Sequence, residues 1–147
     1  MMHQRPRIKV ARKSVQHFKG HLRHVFQRGR GCRIGKTAEK IAPKLKGWVA
    51  YFRHAEMKPT FEELDFWIRR RFRCVLWQQW KRPVTREKKL VAFGLCKERA
   101  WKSANNGRGH WRNAGAFHMN CAITTFYLSE IELLSLRNEH LRPRGLV

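Results

Sequence analysis

The sequence predicts an all-α fold, a helical bundle of about three main helices with a C-terminal extension of short helices and loops, and three observations lead to it. Apolar residues recur at three-four spacing in three successive windows, the signature of a helix face packed on a core. Glycine and proline interrupt the chain where those windows end, at Gly29, Gly31, Pro43, Pro83 and Gly94. A period-two alternation is confined to a brief stretch around Ile8 and Val10, a short strand or an extended arm. The chain divides accordingly into a basic N-terminal arm at 1–13, a helical domain at 14–83 and an extension of short helices and loops at 84–147.

Ser14 is placed to cap the first helix, whose apolar positions are Val15, Phe18, Leu22, Val25 and Phe26 and whose end is marked by Gly29 and Gly31. Thr37 can cap a short helical turn through Ala42, and Pro43, disruptive in a helix interior but suited to its first position, starts a new segment with the stripe Leu45, Trp48, Tyr51 and Phe52. Gly47, beside Trp48, leaves room for another helix to approach. After a link at 54–59, Thr60 and Glu63 form a capping box behind Pro59, so a third helix should start at Phe61 and run about six turns. Glu62, Glu63 and Asp65 put negative charge in its first turn, where the helix dipole favours it. Beyond Pro83 the elements shorten: helices at 85–93 and 95–104, a loop over 105–115, a helical stretch at 119–127, and a second capping box at Ser129 and Glu132. Pro143 and Gly145 close the chain.

The third helix carries two faces. Phe61, Leu64, Ile68, Phe72 and Val75 lie on one stripe and belong to the core. The opposite face gathers Phe66, Arg69, Arg73, Trp77 and Trp80, with Arg70 and Lys81 at its margin, within roughly 120° of arc at about 100° per residue. Arginines interleaved with flat rings suit phosphate binding and base stacking. Arg12 and Lys13 beside the first helix and Arg108, Trp111 and Arg112 in the loop after Asn106 repeat that mixture.

Thirty-three Lys and Arg against ten acids give a formal charge of +23 on 147 residues. Such a chain repels itself unless a polyanion is near, and cations spread along the whole length among aromatics point to nucleic acid rather than to a membrane surface. No apolar run reaches membrane-spanning length and the N-terminus lacks the apolar core of a signal peptide, so the expected location is the cytoplasm, or an organellar matrix in a eukaryote. Cys32, Cys74, Cys96 and Cys121 form no CxxC pair and read as reduced thiols. The pair His118 and Cys121 has helical spacing but no second pair, and neither metal nor cofactor is expected. The glycine-rich stretch at 29–36 differs from a P-loop in the spacing of its glycines and follows no strand.

Several ordered motifs carry a resemblance. Gly47-Trp48-Val49-Ala50-Tyr51-Phe52-Arg53, Phe61 through Asp65, Trp67-Ile68-Arg69-Arg70-Arg71 and Trp77-Gln78-Gln79-Trp80-Lys81 resemble the maturase-specific domain, also called domain X or thumb, of group II intron reverse transcriptases. Ala11-Arg12-Lys13-Ser14 in front and Lys102-Ser103 with Gly107-Arg108-Gly109 behind extend it over roughly 10–111. The chain departs from the family's pattern at Ala50, Gln78, His110 and Arg112. The resemblance implies a helical domain that follows a polymerase palm and binds structured intron RNA to assist its folding and splicing, the intron supplying the chemistry. Reverse transcriptases need paired aspartates to hold two metal ions, and Asp65 is the sole aspartate here, so the expectation is a maturase domain without its polymerase and without a catalytic residue. A separate reverse transcriptase is a second candidate partner. The rival readings are a duplex-DNA binder, a Cys/His metal nuclease, a ribosomal-protein-like structural role and an inactive fragment of an intron-encoded reverse transcriptase.

Overall fold

The computed structural model describes residues 12–52 and 58–130, and over them the chain is all-α. Helix α1 spans Arg12–Arg28 and passes through a 3-10 turn at Gly29–Gly31 into α2, Ile34–Tyr51. Then come α3 (Lys58–Gln79), α4 (Pro83–Ala92), α5 (Lys97–Ala104), α6 (His110–Ala114), α7 (Phe117–Ala122) and α8 (Thr125–Glu130). Three long helices followed by short ones is the predicted architecture. The arm before Arg12, and the chain beyond Glu130 with Glu132, Pro143 and Gly145, lie outside the described residues.

One continuous core runs through the molecule, with α3 along its length. Phe18, Leu22 and Phe26 of α1 and Ile41, Leu45 and Val49 of α2 are buried against the predicted α3 stripe of Phe61, Leu64, Ile68, Phe72 and Val75, every residue of which is buried. Aromatic pairs join the three helices: Phe18 stacks on Trp48 at 4.7 Å, Trp48 meets Phe61 edge-on at 5.7 Å, and Phe26 meets Phe72 edge-on at 5.2 Å. The C-terminal half of the core is closed by Leu90, Ala100, Met119, Ile123 and Leu128.

Local signals misplaced several boundaries. Ser14 sits inside the first turn of α1, because Arg12 and Lys13 are good helix formers and already belong to it. No new helix begins at Pro43, since α2 is unbroken around it. An interior proline costs about 3 kcal/mol, but Ile41, Leu45 and Val49 form one buried stripe across it, each contributing roughly 1.5–3 kcal/mol. Pro43 itself faces solvent, where a carbonyl freed by its missing N–H can find water. Thr37 caps nothing; it is buried, its hydroxyl 2.6 Å from where a Cβ on Gly29 would stand, so the close approach in this region needs Gly29. At Gly47 no atom of the described residues lies within 4 Å of such a Cβ, and none of the described helices packs against it.

Helix α3 includes Lys58 and Pro59, which places Thr60 in its first turn instead of at its cap and moves Glu62, Glu63 and Asp65 to the second turn. Pro59 fits because a first-turn residue needs no intrahelical N–H partner. Helix α4 likewise starts with Pro83, earlier than Thr85, and Gly94, at φ +106°, stops it as expected. The predicted 105–115 loop contains α6, and the predicted 119–127 helix is broken between α7 and α8. Ile123 is fully buried at the break, and Thr124 restarts the chain by accepting the Tyr127 amide on its hydroxyl at 3.1 Å, an N-cap. Ser129 lies within α8 and donates to the Phe126 carbonyl at 2.7 Å; Glu132, the other half of the predicted capping box, is outside the described residues.

Candidate nucleic-acid interface

The basic and aromatic face predicted on α3 is split by the fold. Trp77 and Trp80 are 1% and 5% exposed and Arg73 is 7% exposed, because α4, Phe93, α7 and the α7–α8 break cover that side. Trp80 stacks near Phe93 at 6.2 Å, while Trp77 lies 5.2 Å from the His118 ring and under the Arg86 guanidinium at 4.5 Å. Arg86 Nε donates to the Trp77 carbonyl at 3.2 Å. Arg73 Nε donates at 2.7 Å to the carbonyl of Ile123, the residue at the α7–α8 break. Burial first, and then the charge of Arg69, push the Arg73 guanidinium down to about 10. These three predicted contact residues are interior groups and cannot touch a macromolecule at the surface.

The remaining predicted residues stay accessible to different degrees. Arg69 is half-buried, its guanidinium 4.8 Å from the exposed Phe66 ring. Arg70 is half-buried too and anchors α6: its Nε and Nη2 donate to the Trp111 carbonyl at 3.1 and 2.8 Å, and its guanidinium stands 4.1 Å over the Trp111 ring. Arg12 and Lys13 are exposed on the first turn of α1, Lys81 just past α3, and Arg108 and Arg112 around the start of α6.

What the fold assembles is a strip that the sequence reading did not single out. Trp67 has Lys19 Nζ at 5.5 Å, Arg23 at 5.8 Å and Arg71 at 5.1 Å from its ring centre, and Arg71 is also 4.6 Å from Trp111, which Arg70 covers. Cations and rings therefore alternate from α1 across α3 to α6. Each such contact contributes about 0.5–1 kcal/mol at an exposed site and braces a guanidinium or ammonium in place. The available signal was the four-residue spacing of Trp67 and Arg71, which puts them on a third face of α3.

Beside the strip, α1 and α3 enclose a groove of about 180 Å³ lined by Arg23, Gln27, Arg71, Cys74 and Gln78 over Phe26 and Val75. None of the lining residues is acidic. Arg71 Nε is buried there without a hydrogen-bond partner, and burial, together with the charges of Arg23 and Arg70, lowers its pKa despite the opposing influence of Cys74. No acid occurs in α1 or between Phe66 and Arg86 in the sequence, so neighbouring side chains of these segments do not neutralise the groove. The Arg23 and Arg71 guanidinium groups and the unbalanced positive charge suit a phosphate oxygen, which accepts from planar guanidinium N–H groups.

Among the described residues no group of three His, Cys, Asp or Glu is arranged to hold a metal ion, and no helix is long and apolar enough to cross a membrane. None of the four cysteines is in a disulfide; Cys74 is buried and Cys96 and Cys121 are exposed. Compared with known protein families, residues 15–94, more than half of the chain, match the group II intron, maturase-specific domain. A comparison with curated proteins returned no match.

Proposed function

Because the chain belongs to the group II intron maturase-specific domain family, we propose that it binds structured intron RNA through the α1–α3 groove and the strip from Lys19 to Trp111, and so assists folding and splicing without catalysing it. The single observation that carries this reading is the Arg71 guanidinium, held between Trp67 and Trp111 with its Nε buried and unpaired in a groove free of carboxylates. Arg71 is half-exposed, and the part of its guanidinium that faces the groove can donate to a phosphate. Arg12, Lys13, Lys81, Arg108 and Arg112 supply further phosphate contacts around that centre. Trp111 and Arg70 serve it by holding α6 in place. The chain's own part is to position RNA, and the reactive groups are the RNA's.

Replacing Lys19, Arg23 and Arg71 together by glutamine tests this, since glutamine keeps comparable helix propensity while three cations leave one surface. Affinity for a structured group II intron RNA should fall, and the log-log salt slope should become shallower by about two units at roughly 0.7 per contact. A DNA duplex of equal length, offered in competition at fixed salt, should bind more weakly. Unchanged RNA affinity in a variant with wild-type circular dichroism would remove the groove as the contact, and a duplex-DNA preference would overturn the RNA assignment.

A further inference from the structure

We propose that a second pocket, between α5, α6 and α7, holds one unpaired nucleotide of the bound RNA, its phosphate on Arg108 and Arg112 and its base against Phe117 and His118. This rests on the RNA-binding reading but concerns a part of the chain beyond residues 15–94. The pocket has a volume of about 390 Å³, within the roughly 300–1,000 Å³ of sites that enclose a small molecule. Lys102, Arg108 and Arg112 line it with no acid among the lining residues, although Lys102 is paired across one helical turn with Glu98 at 3.6 Å on the exposed side.

Its wall is built in advance of any ligand. Asn113, 2% exposed, and Asn106 exchange amide hydrogen bonds at 2.8 and 3.2 Å. The Asn113 amide also donates to the Arg108 and Gly109 carbonyls at 2.9 and 3.0 Å, while Asn106 Oδ1 accepts the Arg108 amide at 3.0 Å. A stretch containing Gly107 and Gly109 is thereby pinned, and the Arg108 backbone is held before binding, which lowers the ordering cost of engaging it.

The lining is also more than an anion site requires. Phe117 is 62% exposed, with the Arg99 guanidinium 4.7 Å from its ring, and an exposed ring beside guanidinium groups is a stacking surface for a base. His118 lines the same pocket, and its Nε2 is buried without a partner. Burial lowers the His118 pKa, so near neutral pH the ring is uncharged and lines the pocket as a flat neutral surface in place of a further cation. A base within a duplex is stacked and paired and cannot enter such a pocket; an unpaired one can.

The test is histidine-ring NMR on the full chain, with the His118 signal assigned by its absence in His118→Gln. An unpaired RNA pentamer should shift that signal, whereas a blunt-ended RNA duplex at the same total phosphate concentration and inorganic pyrophosphate should leave it in place. Arg108→Gln with Arg112→Gln should weaken pentamer binding at least about tenfold. Phe117→Leu, which keeps apolar bulk but removes the aromatic face, should weaken it about 5- to 150-fold, the equivalent of roughly 1–3 kcal/mol per stacked base. The Lys19, Arg23 and Arg71 variant should keep the pentamer-induced shift. Pyrophosphate moving His118 as far as the pentamer does would reduce the pocket to an anion site and overturn the proposal. An unmoved His118 signal while intron RNA still binds would overturn the pocket and leave the groove standing; a His118 shift by the pentamer without intron-RNA binding would do the reverse.

Discussion

Arg73 and Arg71 stand two residues apart on α3, and the two sides of the helix they occupy use the same chemistry for opposite ends. On the covered side, Arg73, Trp77 and Trp80 lie under α4, α7 and the α7–α8 break, with Arg73 committed to the Ile123 carbonyl and Trp77 to the core. On the open side, Arg71 sits between Trp67 and Trp111 with a donor to spare. An arginine beside a tryptophan is therefore not in itself a binding feature. What separates the two pairs is whether another part of the chain already supplies the acceptor: a backbone carbonyl at a helix break does so for Arg73, and for Arg71 an RNA phosphate is proposed to.

Trp77→Ala would break the covered side most severely, with an expected loss of about 3–5 kcal/mol in urea unfolding. Arg73→Ala should follow at about 1–3 kcal/mol, because it leaves the Ile123 carbonyl buried and unpaired. Arg71→Gln on the open side should stay within about 0.5 kcal/mol of wild type while weakening RNA binding. If Arg71→Gln destabilised the fold as much as Arg73→Ala does, the distinction between the two sides would be lost. Gly115→Ala sharpens it: the new Cβ would stand 2.6 Å from the Arg70 guanidinium carbon, displacing the side chain that holds α6, at an expected cost of about 1 kcal/mol. Gly47→Ala, exposed inside α2 with nothing within 4 Å, should instead raise stability by about 0.5–1 kcal/mol.

The covered side also carries a pH signature through His118. Its folded-state pKa is lowered by burial, so the unfolded chain binds more protons at this site once pH falls below about 6.5. The contribution is fully present above that pH and is lost as pH falls toward the folded pKa. Wild type should therefore lose more stability than His118→Gln between neutral and mildly acidic pH, as followed by denaturant midpoint. Equal losses in the two proteins would show that His118 is not desolvated.

The first and third long helices and the α3 core stripe were legible from spacing, because a face that must leave water imposes a 3.6-residue period whatever covers it. Total charge pointed to a polyanion for a similarly local reason: ten acids cannot neutralise thirty-three Lys and Arg, so +23 remains in any arrangement of the chain. Boundaries set by competition were not legible. Pro43 signals a break, but one buried stripe runs through it; Thr60 looks like a cap, but Pro59 and Lys58 extend the helix past it. The α7–α8 break depends on buried Ile123, whose carbonyl Arg73 meets fifty positions away in sequence. Which arginines and tryptophans face outward was likewise decided only by tertiary packing. A period shows that two residues share a face, while the element that will lie on that face comes from elsewhere in the chain.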